Sequence, residues 1–181
     1  MNLCEARAIL FSAIEGGTTY WVREIEFLGP LAVVEKLRTG GYDPIKFEKT
    51  ISKVREANPA EILDRIAVTG SRFITPEDEH WPLSLNDLAA PPIALIVKGA
   101  IDALHALSLA IVGTRNPTNY GVRIAGDFAA GFVDREWVIV SGGAYGIDAA
   151  AHRGALVAEG ITVAVLAAGI DVNYPAGHAR L

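Results

Sequence analysis

The run VIVSGGAYGIDAAAHRGAL, residues 138–156, holds the residue types best placed to do chemistry. An apolar stretch ends in Ser141, Gly142 and Gly143, Gly146 follows, and an alanine-rich segment takes over. A strand-to-helix junction of this kind sets backbone N–H groups at the edge of a sheet. There the helix dipole favours an anion by roughly 0.3–1 kcal/mol per charge. A second junction supplies Gly113, Thr114 and Arg115, then Pro117, Thr118 and Asn119 at a helix start. Glycines let a ligand approach the main chain without meeting a Cβ, and a guanidinium grips phosphate through two parallel hydrogen bonds. The pair of junctions points to phosphate oxygens. The same glycines also suit a tight strand-to-helix turn, and Arg115 also suits a surface ion pair.

Other chemistries fit less well. SGGAYG is not G-x-G-x-x-G and no P-loop lysine follows it, which weighs against dinucleotide and Walker-type nucleotide sites. Asp148 and His152, at i and i+4, share a helical face and could form a metal pair or an acid–base pair. The simpler reading makes Asp148 a first-turn carboxylate that orients the loop, with His152 packed beside it. No second histidine or carboxylate cluster completes a metal site, so neither metal nor cofactor is expected. Ser141 lacks the G-x-S-x-G elbow and a base, so no catalytic residue is assigned. Tyr120 and Tyr145 flank the two loops, either to stack on a base or to fill a gap.

The elements that must position these residues follow from pattern. The chain has 181 residues, 51% of them hydrophobic, enough for one sizeable core or for a small domain plus part of a larger one. Residues 1–68 read as a bundle of short helices, a SAM or helix-hairpin-like module. Leu3, Ala6, Leu10 and Ala13 recur at helical spacing, and Leu28-Gly29-Pro30 breaks the chain before Leu31, Val34 and Leu37. Asp43-Pro44 reads as a helix start with Phe47, Ile51 and Val54 on one face. Asn58-Pro59-Ala60-Glu61 reads as another, with a capping-box glutamate. Residues 69–105 read as a connector contributing edge strands, among them the apolar run PPIALIVKG.

From residue 106 to 181 a strand, a loop and a helix start recur. LSLAIVG, WVIVS and ITVAVLAAG are continuous apolar runs, as strands buried on both faces are. Their spacing leaves room for crossover helices, which makes a parallel, Rossmann-like unit. The first of these helices is expected to pack through Ile124, Phe128 and Phe132, the second through Ala150, Ala151 and Ala155. The fold class is therefore α/β, a Rossmann-like parallel sheet preceded by a small all-helical domain.

Charge and targeting signals bound the partners. The formal net charge is −5, with 11 basic and 15 acidic residues up to His105 and 5 and 6 beyond it. Neither half is polybasic, so a polyanion would have to be held by a local pocket. Cys4 is the single cysteine, which excludes an internal disulfide and fits a reducing cytoplasm. No apolar run approaches the roughly 18 residues of a membrane span, and the N-terminus does not read as a signal peptide.

Three motifs carry a family resemblance. AIVGTRNPTNYG (110–121), VSGGAYGIDAAAHRGAL (140–156) and AVLAAGIDVNYPAGHARL (164–181) resemble, in order and spacing, the signature of the DNA-processing protein A family, also called Smf. Upstream, ITPEDEHWPLSLNDLAAPPIALIVKG (74–99) resembles the family's D-x-x-[YW]-P stretch through Asp78, Trp81 and Pro82. The resemblance implies a protein without enzymatic activity or cofactor that binds single-stranded DNA in natural transformation, shields it and helps load a RecA-type recombinase. It implies that Gly113, Thr114 and Arg115 contact the phosphodiester backbone and that Ser141, Gly142 and Gly143 donate main-chain or hydroxyl hydrogen bonds to it. Pro117, Thr118, Tyr120, Tyr145, Gly146, Asp148 and His152 would support these loops. Ala176 stands where members often carry a basic residue, and His178 and Arg180 are near enough to replace it. The resemblance further implies that the later strands, and the surfaces for homodimerisation and the recombinase, lie beyond Leu181. The rival reading is a phosphoribohydrolase-like enzyme binding a nucleotide in the same loops. Its P-G-G-x-G-T-x-x-E element, with a catalytic glutamate, has no counterpart in 106–181.

Overall fold

The computed structural model describes residues 1–172 and 174–178, the last by its backbone alone. The chain divides into two compact units, Met1–Gly99 and Ala100–Leu181.

The first unit opens with five helices: α1 (Leu3–Ala13), α2 (Thr19–Leu28), α3 (Pro30–Thr39), α4 (Glu48–Glu56) and α5 (Pro59–Val68). Local signals set their ends. Asn2 Oδ1 accepts from Glu5 N at 2.9 Å while Asn2 N donates to Glu5 Oε2 at 2.8 Å, a reciprocal cap on α1. Gly29, at φ 81°, takes the left-handed turn that separates α2 from α3, and Pro30 opens the next helix. Two start signals work differently from expectation. Asp43 Oδ1 accepts from Ile45 N and Lys46 N at 2.8 and 3.0 Å, which closes a turn, and the helix proper begins only at Glu48. Asn58 caps Ala60 N at 3.1 Å, but its side-chain amide, not its backbone, meets Glu61 at 2.9 Å.

Ile9, Leu10, Val33, Val34, Leu37 and Val54 are fully buried at the centre of this bundle. Trp21, Tyr42, Phe47 and Tyr20 form an aromatic cluster beside them. Two short strands, β1 (Arg72–Ile74) and β2 (Leu95–Val97), pair antiparallel with each other. They form a sheet of their own instead of edging the parallel one, and both belong to the first unit. Their partner requirements are met within the hairpin-like pair, which the apolar run in 91–99 did not reveal. The Asp78, Trp81, Pro82 element is architectural here: Asp78 Oδ1 accepts from His80 N at 2.9 Å, and the Trp81 ring, 2% exposed, donates Nε1–H to Asn86 at 3.0 Å.

In the second unit β3 (Ser108–Ala110), β4 (Val138–Gly142) and β5 (Thr162–Val165) form a parallel sheet in the order β3-β4-β5. Ser108 stands opposite Val138, and Ile139 opposite Thr162. Helix α6 (Asn119–Val133) joins the first pair and α7 (Ile147–Val157) the second. The fold class is α/β with helices preceding a Rossmann-like sheet. The face of α6 that packs inward differs from the expected stripe. Ala125 and Ala129 are buried, Ile124 and Phe132 are half-buried, and Phe128 is 57% exposed. Small residues win the inner face because α7 comes so close: a Cβ on Gly154 would collide with the backbone of Gly126. Ala129, Ile139, Ala151 and Ala155 make the core between the helices and the sheet.

Candidate functional site

The C-terminal tips of β3 and β4 lead into two loops that touch. Ile147 N donates to Thr114 O at 3.2 Å. Gly146, at φ 88°, lies so near Thr114 O and the backbone of Arg115 that a Cβ there would overlap both. A Cβ on Gly113 would stand 2.8 Å from Ile147 Cγ1, one on Gly142 2.6 Å from Asp148 Oδ2, and one on Gly143 2.6 Å from Leu166 Cδ2. Each of these four glycines therefore has a packing reason. They allow strand tips, not only a ligand, to approach one another.

Within the first loop Thr114 Oγ1 accepts from Asn116 N at 3.2 Å, and Thr118 Oγ1 caps α6 by accepting from Gly121 N at 3.2 Å. Pro117 rests against Gly121. Arg115 is exposed and makes no hydrogen bond or ion pair with a described residue. Tyr120 is exposed, with the Arg123 guanidinium 5.7 Å from its ring centre. Tyr145 is half-exposed, its hydroxyl placed where a Cβ on Gly177 would meet it at 2.6 Å.

Beneath the second loop the polar groups serve the fold. Ser141 is 2% exposed and its hydroxyl donates to Ile111 O at 2.6 Å. It stitches β4 to the segment leaving β3, so the hydroxyl expected to reach a phosphate is committed internally. Asp148, also buried, accepts from Ala144 N at 3.2 Å. With Ile147 N bound to Thr114 O, the start of α7 already has an internal anion and an internal acceptor, where the sequence suggested amides open to a ligand. His152 joins β4 to β5. Thr162 donates its hydroxyl proton to Ile139 O at 2.8 Å, its oxygen faces His152 Nδ1 at 2.7 Å, and Nε2 faces Gly142 O at 2.9 Å.

Thr162 and Ile147 were not singled out from sequence, yet both hold the loops. A lone hydroxyl inside the apolar run ITVAV was the available signal for Thr162; Ile147 carried none. Of the two C-terminal candidates, Arg180 lies outside the described residues, and His178 is described only as the backbone end of the 3-10 turn Ala176–His178. Among the described residues no group of three or more His, Cys, Asp or Glu could hold a metal, and no helix is long and apolar enough to cross a membrane.

Parallel strands whose exit loops meet above the sheet, one of them carrying an exposed arginine, define an α/β protein with a Rossmann-like strand-tip site. The chain belongs to the DNA-processing protein A family: the family model described as DNA recombination-mediator protein A matches residues 72–181. A relative from Mycobacterium tuberculosis (strain H37Rv), assigned as DNA processing protein DprA, is 39% identical over 170 residues, which is 87% of this chain and 44% of the relative. The crystal structure of DprA from Streptococcus pneumoniae matches 99% of this chain and 63% of its own with a TM-score of 0.76 at 24% identity, a likeness of fold. DprA from Helicobacter pylori, solved to explain its single-stranded DNA binding mode, matches 59% of this chain and 47% of its own with a TM-score of 0.52 at 32% identity. The chain thus spans less than half the length of the M. tuberculosis relative.

Proposed function

We propose that this chain binds single-stranded DNA through its phosphodiester backbone, without reading sequence and without catalysing a reaction on it. One observation carries the reading: Arg115 stands exposed, with no ionic partner among the described residues, on a loop locked against the glycine loop of the next strand. Such a cation, fixed in place by its loop, grips phosphate without contacting base edges, and phosphate contacts position a strand without specifying it. Thr114 and the main chain at Gly113 adjoin Arg115, and the second loop, with Gly142 held by His152, is brought close beside them. The Ser141 hydroxyl has no part in the grip, and Gly146, Asp148 and His152 act by holding the loops. The family relationship and the DNA-binding H. pylori relative support the same reading.

In this proposal the longer protein acts in the cytoplasm, as a homodimer that shields incoming single strands during natural transformation and helps load a RecA-type recombinase. The test is a salt titration of single- and double-stranded oligonucleotide binding by the chain and by Arg115→Ala. Log affinity for the single strand should fall with log salt by roughly 0.7 per phosphate contacted, and Arg115→Ala should lower affinity at least tenfold for every sequence tried. An Arg115→Ala chain that binds as tightly as its parent would remove the proposal. Release of free base from added nucleotides would replace it with the hydrolase.

A further inference from the structure

We infer that the first turn of α6 carries a nucleobase platform: the Tyr120 ring, backed by the Arg123 guanidinium, stacks on one base of a single strand whose phosphates lie along the Arg115 loop. The platform rests on the proposed single-strand binding and adds to it a contact with the bases. That contact is made to a ring face and not to an edge.

The two tyrosines beside the loops differ in what surrounds them. Tyr145 is half-exposed, and its hydroxyl lies where a Cβ on Gly177 would stand 2.6 Å away. Tyr120 is 67% exposed and makes no hydrogen bond or ring–ring contact with a described residue, so it fills no gap. The group its ring does meet is the Arg123 guanidinium, 5.7 Å from the ring centre. At that range a cation is drawn to the electron-rich face of an aromatic ring. An arginine so placed backs one face and leaves the other to a base. The ion pair of Arg123 with Asp127, at 3.7 Å, joins two well-exposed side chains and contributes little.

The turn that carries the platform is fixed to both strand tips. Thr118 Oγ1 accepts from Gly121 N, so a side chain already caps the start of α6, and the platform depends on Tyr120 and Arg123 and not on open amides. A Cβ on Gly121 would lie 3.6 Å from Pro117 Cβ and 3.7 Å from Ile147 Cδ1, and Ile147 N in turn donates to Thr114 O. Tyr120 immediately precedes this anchored glycine. It stands five residues from Arg115, at most about 18 Å away even along a fully extended backbone. A short oligonucleotide spans that distance. Every base has a π-face, so stacking on tyrosine adds affinity without sequence preference.

Anisotropy titrations with a labelled oligothymidylate, and with an abasic strand of equal length and charge, test this. The parent chain should bind the oligothymidylate about fivefold or more tighter than the abasic strand. Tyr120→Ala should bring the two affinities within about twofold of each other and leave the salt slope unchanged, since no phosphate contact is lost. Tyr120→Phe should keep the difference. Arg123 positions the ring, so Arg123→Ala should shrink the difference about twofold or more and Arg123→Lys should restore it. Both side chains are exposed, and the circular dichroism of each variant should match that of the parent. Equal affinities in the parent, or a difference that survives Tyr120→Ala or Arg123→Ala, would overturn the platform and leave Arg115-dependent binding standing. Binding that does not depend on Arg115 would instead remove the DNA reading, and the platform with it.

Discussion

The amide of Ile147 donates to the carbonyl oxygen of Thr114 across 3.2 Å, which ties the loop leaving β3 to the loop leaving β4. Arg115 takes its position from a neighbouring strand as well as from its own. Damage to one loop should therefore be read out at the other.

Gly146→Ala tests that coupling. The residue sits at φ 88°, and a Cβ there overlaps Thr114 O and the Arg115 backbone. Unfolding free energy from urea titration should drop by about 2 kcal/mol or more. Single-strand affinity, measured where the variant is still folded, should fall although no DNA-contacting group was removed.

Ser141→Ala should separate stability from binding. Removing the hydroxyl leaves Ile111 O, in a part-buried pair, without its donor, at a cost of about 1–3 kcal/mol. The salt slope of single-strand binding should match that of the parent. A slope reduced by one phosphate contact would return the hydroxyl to the ligand.

The two glycines at the α6–α7 crossing should respond with opposite signs. At Gly126 an added Cβ finds Ala150 O at 3.8 Å, ordinary contact, so Gly126→Ala should stabilise by about 0.5–1 kcal/mol through helix propensity. At Gly154 the same methyl collides with the Gly126 backbone, and Gly154→Ala should destabilise by about 1–3 kcal/mol. Paired thermal melts decide it.

Acid should weaken the first unit through Glu77. Burial pushes its carboxyl up, but the Arg7 guanidinium, 2.7 Å away, and further hydrogen bonds outweigh burial and hold it below the usual carboxylate range. A carboxyl lowered on folding stabilises the protein above its unfolded value, and that contribution is lost as pH falls through the folded one. Chemical denaturation across pH should therefore show wild type exceeding Glu77→Gln at neutral pH, with the gap closing on acidification below the ordinary carboxylate range.

Elements whose signals are local were legible in the sequence. Pro30, Asn58 and the glycine-ended apolar runs mark boundaries by backbone sterics and capping, which act within a few residues. Features decided by distant partners were not. The stripe Ile124, Phe128, Phe132 and the stripe Ala125, Ala129 are both apolar, and periodicity cannot say which one faces α7. The choice rests on Gly154, far along the chain. Asp43 looked like a helix cap because an Asx turn and an N-cap use the same side-chain acceptor. Ser141 looked available because its acceptor, Ile111, is thirty residues away. The resemblance pointed to these two loops as the candidate site, whereas which of their side chains face outward, as Arg115 does, and which inward, as Ser141, Asp148 and His152 do, required coordinates.

The imidazole of His152 grips both Gly142 and Thr162 from the hidden side of the sheet. The route taken by the glycine loop is consequently set from underneath, by atoms no ligand meets. On the adjoining loop Thr114 and Asn116 hold the turn, so the exposed Arg115 side chain is the position that can change over generations while the scaffold below keeps its shape.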